Sequence, residues 1–244
     1  MISKNYNINA DLGEGYNIEK AIMPYLNSCN IACGGHFGDV NSIKKVVSLA
    51  LKYKVKIGAH PSYPDKVNFG REELSLSTSE LHESISNQIK LMLEVVPEET
   101  LHHVKPHGAL YHSCANDIKT ATLFLNVIEL LCPKAIVFTL PNSALEKQAL
   151  KKGIKVWREA FIDRAYQNDG QLVPRSQSGA VLNDREAMYN QFYFLSQKHS
   201  VQTITKSWID LKPDTLCVHG DHPNSVSNLK FIFDHFKQKN KHIE

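Results

Sequence analysis

Residues 135–160 read AIVFTLPNSALEKQALKKGIKVWREA, and the order of signals in this stretch decides the fold. AIVFTL (135–140) is an apolar run with β-branched and aromatic residues, the right length for a buried strand and too short for a helix. Ser143 and Glu146 then supply the S-x-x-E spacing of a helix start. Gly153 suits the helix end, and IKVWREA (154–160) returns to strand character. Two strands joined through a helix lie parallel, because a crossover of this length is what carries the chain back to the same edge.

The same unit recurs on both sides. NYNINA (5–10), NIAC (30–33), VKIGAH (55–60) and LHHVK (101–105) precede it and TLCVHG (215–220) follows, giving seven strand candidates. Helices are expected at 19–27 and at 41–53, the latter with Ile43, Val46, Val47, Ala50 and Leu51 on one face. A third opens at a Ser77/Glu80 capping box, carries Leu81, Ile85, Ile89, Met92 and Val96, and stops at Pro97. Others are expected at 115–131, 143–153 and 184–198, and a last one carries Val226, Leu229, Ile232, Phe233 and Phe236. The fold class is therefore α/β, with a largely parallel sheet that is closed or nearly so. No linker or shift of composition divides residues 1–244, so a single domain is expected.

Bulk properties exclude several functions. A chain of 244 residues buries roughly 70–75% of its extendable surface and needs no disulfide or metal to fold. Its net charge of +3 is spread out except for the tail KQKNK (237–241), so there is no nucleic-acid footprint. Five cysteines at irregular spacing, Cys29, Cys33, Cys114, Cys132 and Cys217, suggest reduced, buried thiols. The start MISKNYNINADLG lacks an apolar signal core and no window spans a membrane, so the cytoplasm is the expected compartment.

Polar residues collect where strands end. The first strand runs into NADLGEG with Asp11 and Glu14, the second into CGGHFGD with His36, and the third into AHPSY with His60. The fourth runs into KPHGALYH with Lys105 and His107. The sixth supplies Arg158, Glu159, Asp163 and Arg164 in REAFIDRAY, then Arg175 in LVPRSQSGA, and the seventh supplies His219 and Asp221 in VHGDHP. Only the fifth, ending in LPNSAL, brings no ionisable group before Glu146. Parallel barrels and open parallel sheets build their sites at this edge, so the asymmetry points to an enzyme.

Each motif also has a plainer reading. Asp11 can cap a turn shaped by Gly13 and Gly15, His60 can be a hydrogen-bonded core residue, and Asp221 can cap a helix ahead of Pro223. Lys105 is harder to dismiss, since a buried ammonium must pair with a carboxylate or hold an anion. Arg158, Glu159, Asp163 and Arg164 read as an ion-pair cluster, and Arg175 as a fork for phosphate or carboxylate. Gly108 reads as a place where backbone approaches a ligand, while Tyr111 and His112 are open between helix packing and site rim. Asp11, His36, His60, His107 and His219 are metal-ligating types, but no local spacing enforces ligation, so no tight metal site is expected. The G-x-x-x-x-G-K-[ST], G-x-G-x-x-G and G-x-S-x-G motifs are all absent.

Taken in order, NADLGEG, C-G-x-H-x-G-D (33–39), GAHPSYPD, VKPHGALY, REAFIDRAY, LVPRSQSGA and VHGD resemble the motifs of the LamB/YcsF family, which supplies the A component of 5-oxoprolinase. The resemblance runs from residue 8 to about 223. It implies a distorted seven-stranded β/α barrel of the glycoside hydrolase and deacetylase type. It also implies a part in ATP-dependent cleavage of 5-oxo-L-proline to L-glutamate, with ATP as co-substrate and subunits B and C as partners. For that reaction Asp11 and His60 are candidates to activate water, with His107, Glu159 and His219 orienting them or protonating the leaving nitrogen. Lys105, Arg158 and Arg175 would hold phosphate or carboxylate; Glu14, His36, Asp163, Arg164 and Asp221 complete the expected substrate site. The chain departs from the family pattern at Gly35, Phe37, Ser178 and His222. Two alternatives stand beside this reading: a stand-alone metal-dependent amidohydrolase or carbohydrate deacetylase, and a non-catalytic lactam- or sugar-binding subunit.

Overall fold

In the computed structural model, which describes residues 6–222 and 224–241, the strands alternate with helices as the apolar periodicity requires. Asn5 of the expected first strand and Pro223 of the expected last helix start lie outside the described residues. Strands β1 (Asn7–Leu12), β2 (Ser28–Ala32), β3 (Lys56–His60), β4 (His103–Val104), β5 (Ile136–Thr139) and β6 (Val156–Phe161) follow one another in space. A two-stranded antiparallel hairpin, β7 (Ser200–Gln202) and β8 (Trp208–Asp210), then interrupts the series. Finally β9 (Thr215–Val218) pairs with both β6 and β1 and closes a seven-stranded, wholly parallel barrel.

The surrounding helices are α1 (Glu19–Ile22), α2 (Val40–Tyr53), α3 (Thr78–Leu93), α4 (Gly108–Asn116), α5 (Ile118–Leu131), α6 (Ala144–Lys151), α7 (Arg185–Tyr193) and α8 (Ser225–Lys241). Their apolar stripes, including Val46 of α2, Ile85 and Ile89 of α3 and Phe124 and Ile128 of α5, are buried in one continuous core. The Ser77/Glu80 capping box forms in full. At α6 only half of it does: Ser143 accepts from the Glu146 N–H at 3.0 Å, while the Glu146 carboxylate turns to the Asn142 N–H and to Arg158.

Several elements differ from the sequence expectation. The helix expected at 115–131 is two helices, because Asp117 is extended and caps α5 by accepting the Thr120 N–H at 2.7 Å. KPHGALYH therefore straddles a helix start, with α4 opening at Gly108. The hairpin β7–β8 lay hidden between a helical and an apolar pattern, its strands being only three residues each. All five cysteines are free and buried. Among the described residues no helix is long and apolar enough to cross a membrane.

The barrel interior is unusual in its chemistry. Such barrels are ordinarily filled by branched apolar side chains. Here Asn30 donates to Asn9 Oδ1 at 2.8 Å, Asn9 donates to Glu159 Oε1 at 3.0 Å and Thr215 Oγ1 at 2.7 Å, and His103 Nε2 lies 2.6 Å from Asn30 Oδ1. Gly58 makes room for this ladder, since a Cβ there would meet His103 Nε2 at 2.2 Å. A buried network of this kind holds its register because any slip strands several polar groups without partners.

Candidate functional site

The ladder leads up to a buried ionic floor. Lys105 follows β4, and its Nζ lies 2.9 Å from Asp11 Oδ1, 3.1 Å from Glu159 Oε1 and 3.2 Å from Cys217 Sγ. Burial pulls the ammonium pKa down, but the Asp11 charge leads the opposing effects and holds it well above the usual lysine value. For Asp11 burial acts upward, and His60 and Lys105 outweigh it and keep the carboxyl well below its usual range. Asn30 also donates to Asp11 Oδ1 at 2.7 Å, so the carboxylate is held on one oxygen from two sides.

Above the floor lies a layer of histidines. His60 ends β3, and its Nδ1 donates to the Lys105 carbonyl at 2.8 Å. His107 Nε2 donates to the Phe69 carbonyl at 2.9 Å. The other two ring nitrogens, His60 Nε2 and His107 Nδ1, face each other at 3.0 Å. Asp11 Oδ1 is 3.4 Å from the first and Glu14 Oε1 is 3.5 Å from the second. His36 stacks on His107 with ring centres 3.7 Å apart and reaches Glu14 at 3.0 Å. Burial, followed by the charges of Asp11 and Asp221, pushes the Glu14 carboxyl well above its usual value. Burial is also the leading cause that lowers His107, and it takes His36 down to about 3. Asp11, His60 and His107 form one buried set of donors, and Glu14, His36 and His107 another, each with its atoms within 4.8 Å of one another. Either set has the composition to hold a metal ion.

A loop between β3 and α3 seals this layer. Its Phe69 and Gly70 both have positive φ, 57° and 64°, which brings the Phe69 carbonyl onto His107. Gly108 is needed for the same closure: a Cβ there would meet the Gly70 carbonyl oxygen at 2.4 Å. The close approach expected at Gly108 is thus to the chain itself.

The mouth is basic. Arg71 from that loop pairs with Asp221, and Arg175 Nη1 lies 3.9 Å from the same carboxylate oxygen. Arg164 is buried, donates to the carbonyls of Ala180 and Val173, and is pushed down to about 10 by burial and then by Arg175. Asp163 accepts the His219 backbone N–H at 2.9 Å and its ring Nδ1 at 3.0 Å. Burial raises the Asp163 carboxyl, but the His219 charge and these hydrogen bonds prevail and bring it to about 2.

These groups surround a cleft of about 560 Å³. Of the expected residues, Asp11, Glu14, His60, Lys105, His107, Arg164, Arg175, His219 and Asp221 line it, as do Tyr111 and His112. His36, Glu159 and Asp163 stand behind the lining and hold it through Glu14, Lys105 and His219. Arg158 is a correction. Its guanidinium lies outside the barrel on Glu146 of α6 at 2.6 Å, because successive strand residues face opposite ways and Glu159 points in. The expected cluster of Arg158, Glu159, Asp163 and Arg164 accordingly separates into pairs with different partners. Asp221 is a second correction: its carboxylate serves Arg71 and Arg175, and α8 begins only at Ser225.

The sequence reading missed Arg71, which stands in a loop far from any strand end. It also missed Asn9, Asn30 and His103, although Asn7, Asn9 and Asp11 alternate with apolar residues, the mark of a polar inner face. At Gly35, one of the departures, an added Cβ would meet Gln88 Oε1 at 2.3 Å and Ser62 Oγ at 2.4 Å. The space a larger residue would take is filled by those two side chains, and neither Gly35 nor Phe37 lines the cleft.

Known structures share this architecture. The lactam utilization protein from Thermus thermophilus is 34% identical, with a TM-score of 0.88 over 96% of this chain and 97% of that one. An uncharacterized protein from Agrobacterium tumefaciens is 11% identical, with a TM-score of 0.53 over 97% of this chain and 87% of that one, a likeness of fold alone. The family model described as LamB/YcsF matches residues 6–244, nearly the whole sequence. With that match, and a relative at 34% identity across almost the full length of both proteins, the chain belongs to the LamB/YcsF family.

Proposed function

We propose that the cleft opens the ring of 5-oxo-L-proline to give L-glutamate, coupled to hydrolysis of ATP to ADP and phosphate, in a cytoplasmic assembly with 5-oxoprolinase subunits B and C. Membership of the LamB/YcsF family and similarity to a lactam utilization protein support the lactam. The observation that carries the reading is a juxtaposition. Across one small cleft, a buried floor of Lys105, Asp11 and His60 faces a mouth of Arg71, Arg164 and Arg175. A small cyclic amide bearing a carboxylate fits that division, its anion on the arginines and its amide towards the floor.

An unstrained lactam resists water, so ATP activates it. The amide oxygen takes the terminal phosphoryl group and ADP leaves. Water then adds to the activated carbon, the carbon–nitrogen bond breaks as the nitrogen takes a proton, and a second water releases phosphate. The ionised Asp11 is placed to accept the proton of attacking water, with His60 beside it at 3.4 Å to orient it. His219, facing the same space, is placed to return one to the leaving nitrogen, and His107 holds His60 in position. Lys105 holds Asp11 in place and supplies a fixed positive charge beneath the reacting amide. Glu159, His36 and Asp163 position these groups without lining the cleft.

The test is 5-oxoproline-dependent phosphate release, measured with this chain alone and with subunits B and C added. Release that requires all three, with one glutamate formed per phosphate, is expected. No glutamate from the complete mixture would overturn the reading. The buried Asp11, His60 and His107 donors favour a second reading, a stand-alone metal-dependent amidohydrolase or deacetylase. That reading requires activity without ATP or partners, abolished by a chelator.

A further inference from the structure

The geometry points to a divalent-cation site in which His60 Nε2 and His107 Nδ1 are the primary ligands, Asp11 supplies the carboxylate, and the remaining positions open on the cleft. A carbonyl only accepts, so His60 Nδ1 and His107 Nε2 both carry hydrogen on their bonds to Lys105 and Phe69. In the neutral rings the two facing nitrogens are then both lone pairs, 3.0 Å apart. Lone pairs held this close, with each ring fixed by a carbonyl on its far side, call for something electrophilic between or beside them.

One shared proton would satisfy the two nitrogens alone. A metal ion also uses the Asp11 carboxylate, 3.4 Å from His60 Nε2, and Asp11, His60 and His107 together offer ligand atoms that all lie within 4.8 Å of one another. The carbonyl bonds on the outer nitrogens are the arrangement that fixes the tautomer and direction of a ligating imidazole. His36 lacks it. With Nε2 bound to a metal its proton would sit on Nδ1, which is buried without a partner, so His36 is a stacking wall and not a ligand. Asp11 Oδ1 is already shared with Asn30 and Lys105, which makes Asp11 the charge-balancing ligand and the histidines the strong ones. Two imidazoles with one carboxylate suit a borderline transition ion such as zinc or cobalt(II), in preference to magnesium.

This inference does not depend on the lactam reading, because ion binding is measured without lactam, ATP or partner subunits. The full chain, stripped with chelator, is titrated with zinc by calorimetry and with cobalt(II) by visible absorption. One ion per chain is expected, with a cobalt spectrum showing nitrogen ligation. Binding should be lost in His60→Ala and in His107→Ala and retained in His36→Ala. The unaltered chain gives a check that no folding defect can obscure: with nitrogen-15-labelled histidine, zinc should shift one nitrogen on each of two rings while both outer N–H signals persist. Failure to bind either ion, or shifts confined to other histidines, overturns the site.

Discussion

The floor and the mouth of the cleft are built from the same elements, cations set on carboxylates, yet they differ in how much water reaches them. The side chains of Lys105, Asp11 and Glu159 are 3%, 4% and 0% exposed, whereas Arg71 is 39% exposed and Asp221 12%. Water screens the mouth, so its pairs form and part at little cost and can exchange Asp221 for the anion of a ligand. At the floor no solvent replaces a lost partner. Its charges fix one another, and they also fix the atoms on which chemistry would depend.

The contrast is broken most directly by Lys105→Met. Removing the cation leaves Asp11 and Glu159 as buried, unpaired charges, and the expected loss is about 3–5 kcal/mol of folding stability together with all ring-opening turnover. Urea unfolding reads the first and glutamate formation in the complete mixture the second. Adding Glu159→Gln removes one stranded charge, so the double variant should lose less than the sum of the single ones. A Lys105→Met chain as stable as the unaltered one would show that charge does not organise the floor.

Why the floor was partly legible in sequence follows from its position. Asp11, His60 and Lys105 stand at or just past strand ends, where seven parallel strands converge, so aligning the ends brought them together without any distance being known. Lys105 was further marked because a buried ammonium needs a carboxylate or an anion as partner. The mouth was read less well, because Arg71 belongs to a loop whose path is set by positive φ at Phe69 and Gly70 and by contact with Gly108. Arg158 was misplaced for a different reason: strand-end position says nothing about which face a residue occupies, and one step of alternation moved it outside the barrel. The pairing of the two histidines was invisible, since it depends on carbonyls of Lys105 and Phe69 that come from separate segments.

Asp163 lies between the two extremes, buried itself but holding His219 at the cleft wall. Its folded pKa of about 2 lies below the ordinary 3.8, so the unfolded chain takes up its proton first as the pH falls. The stabilisation is fully present above the unfolded value and disappears as the pH drops through the folded one. It amounts to about 2 kcal/mol. Asp163→Asn should therefore be less stable by about that amount at neutral pH, with the gap closing between about pH 4 and 2 in urea melts run at successive pH values. A gap that stays constant over that range would separate the His219 contact from the ionisation of Asp163.

The smallest stability effects are expected at Arg71 and Arg158, and comparing them isolates what the mouth contributes. Both are exposed, at 39% and 48% of the side chain, and both rest on a carboxylate. Arg71→Ala and Arg158→Ala should each shift the unfolding free energy by under about 1 kcal/mol, as screened surface pairs do. They differ in which side of the barrel wall they occupy. Arg71 faces the cleft, so its loss should raise the KM for 5-oxoproline in the assembled enzyme and leave kcat less affected. Arg158 faces α6, and its loss should change neither constant. Equal changes in KM from both substitutions would mean that the effect travels through general charge and not through a contact at the mouth. A rise confined to Arg71 places the anion of the substrate beside Asp221, where the exposed end of the cleft can exchange one carboxylate for another.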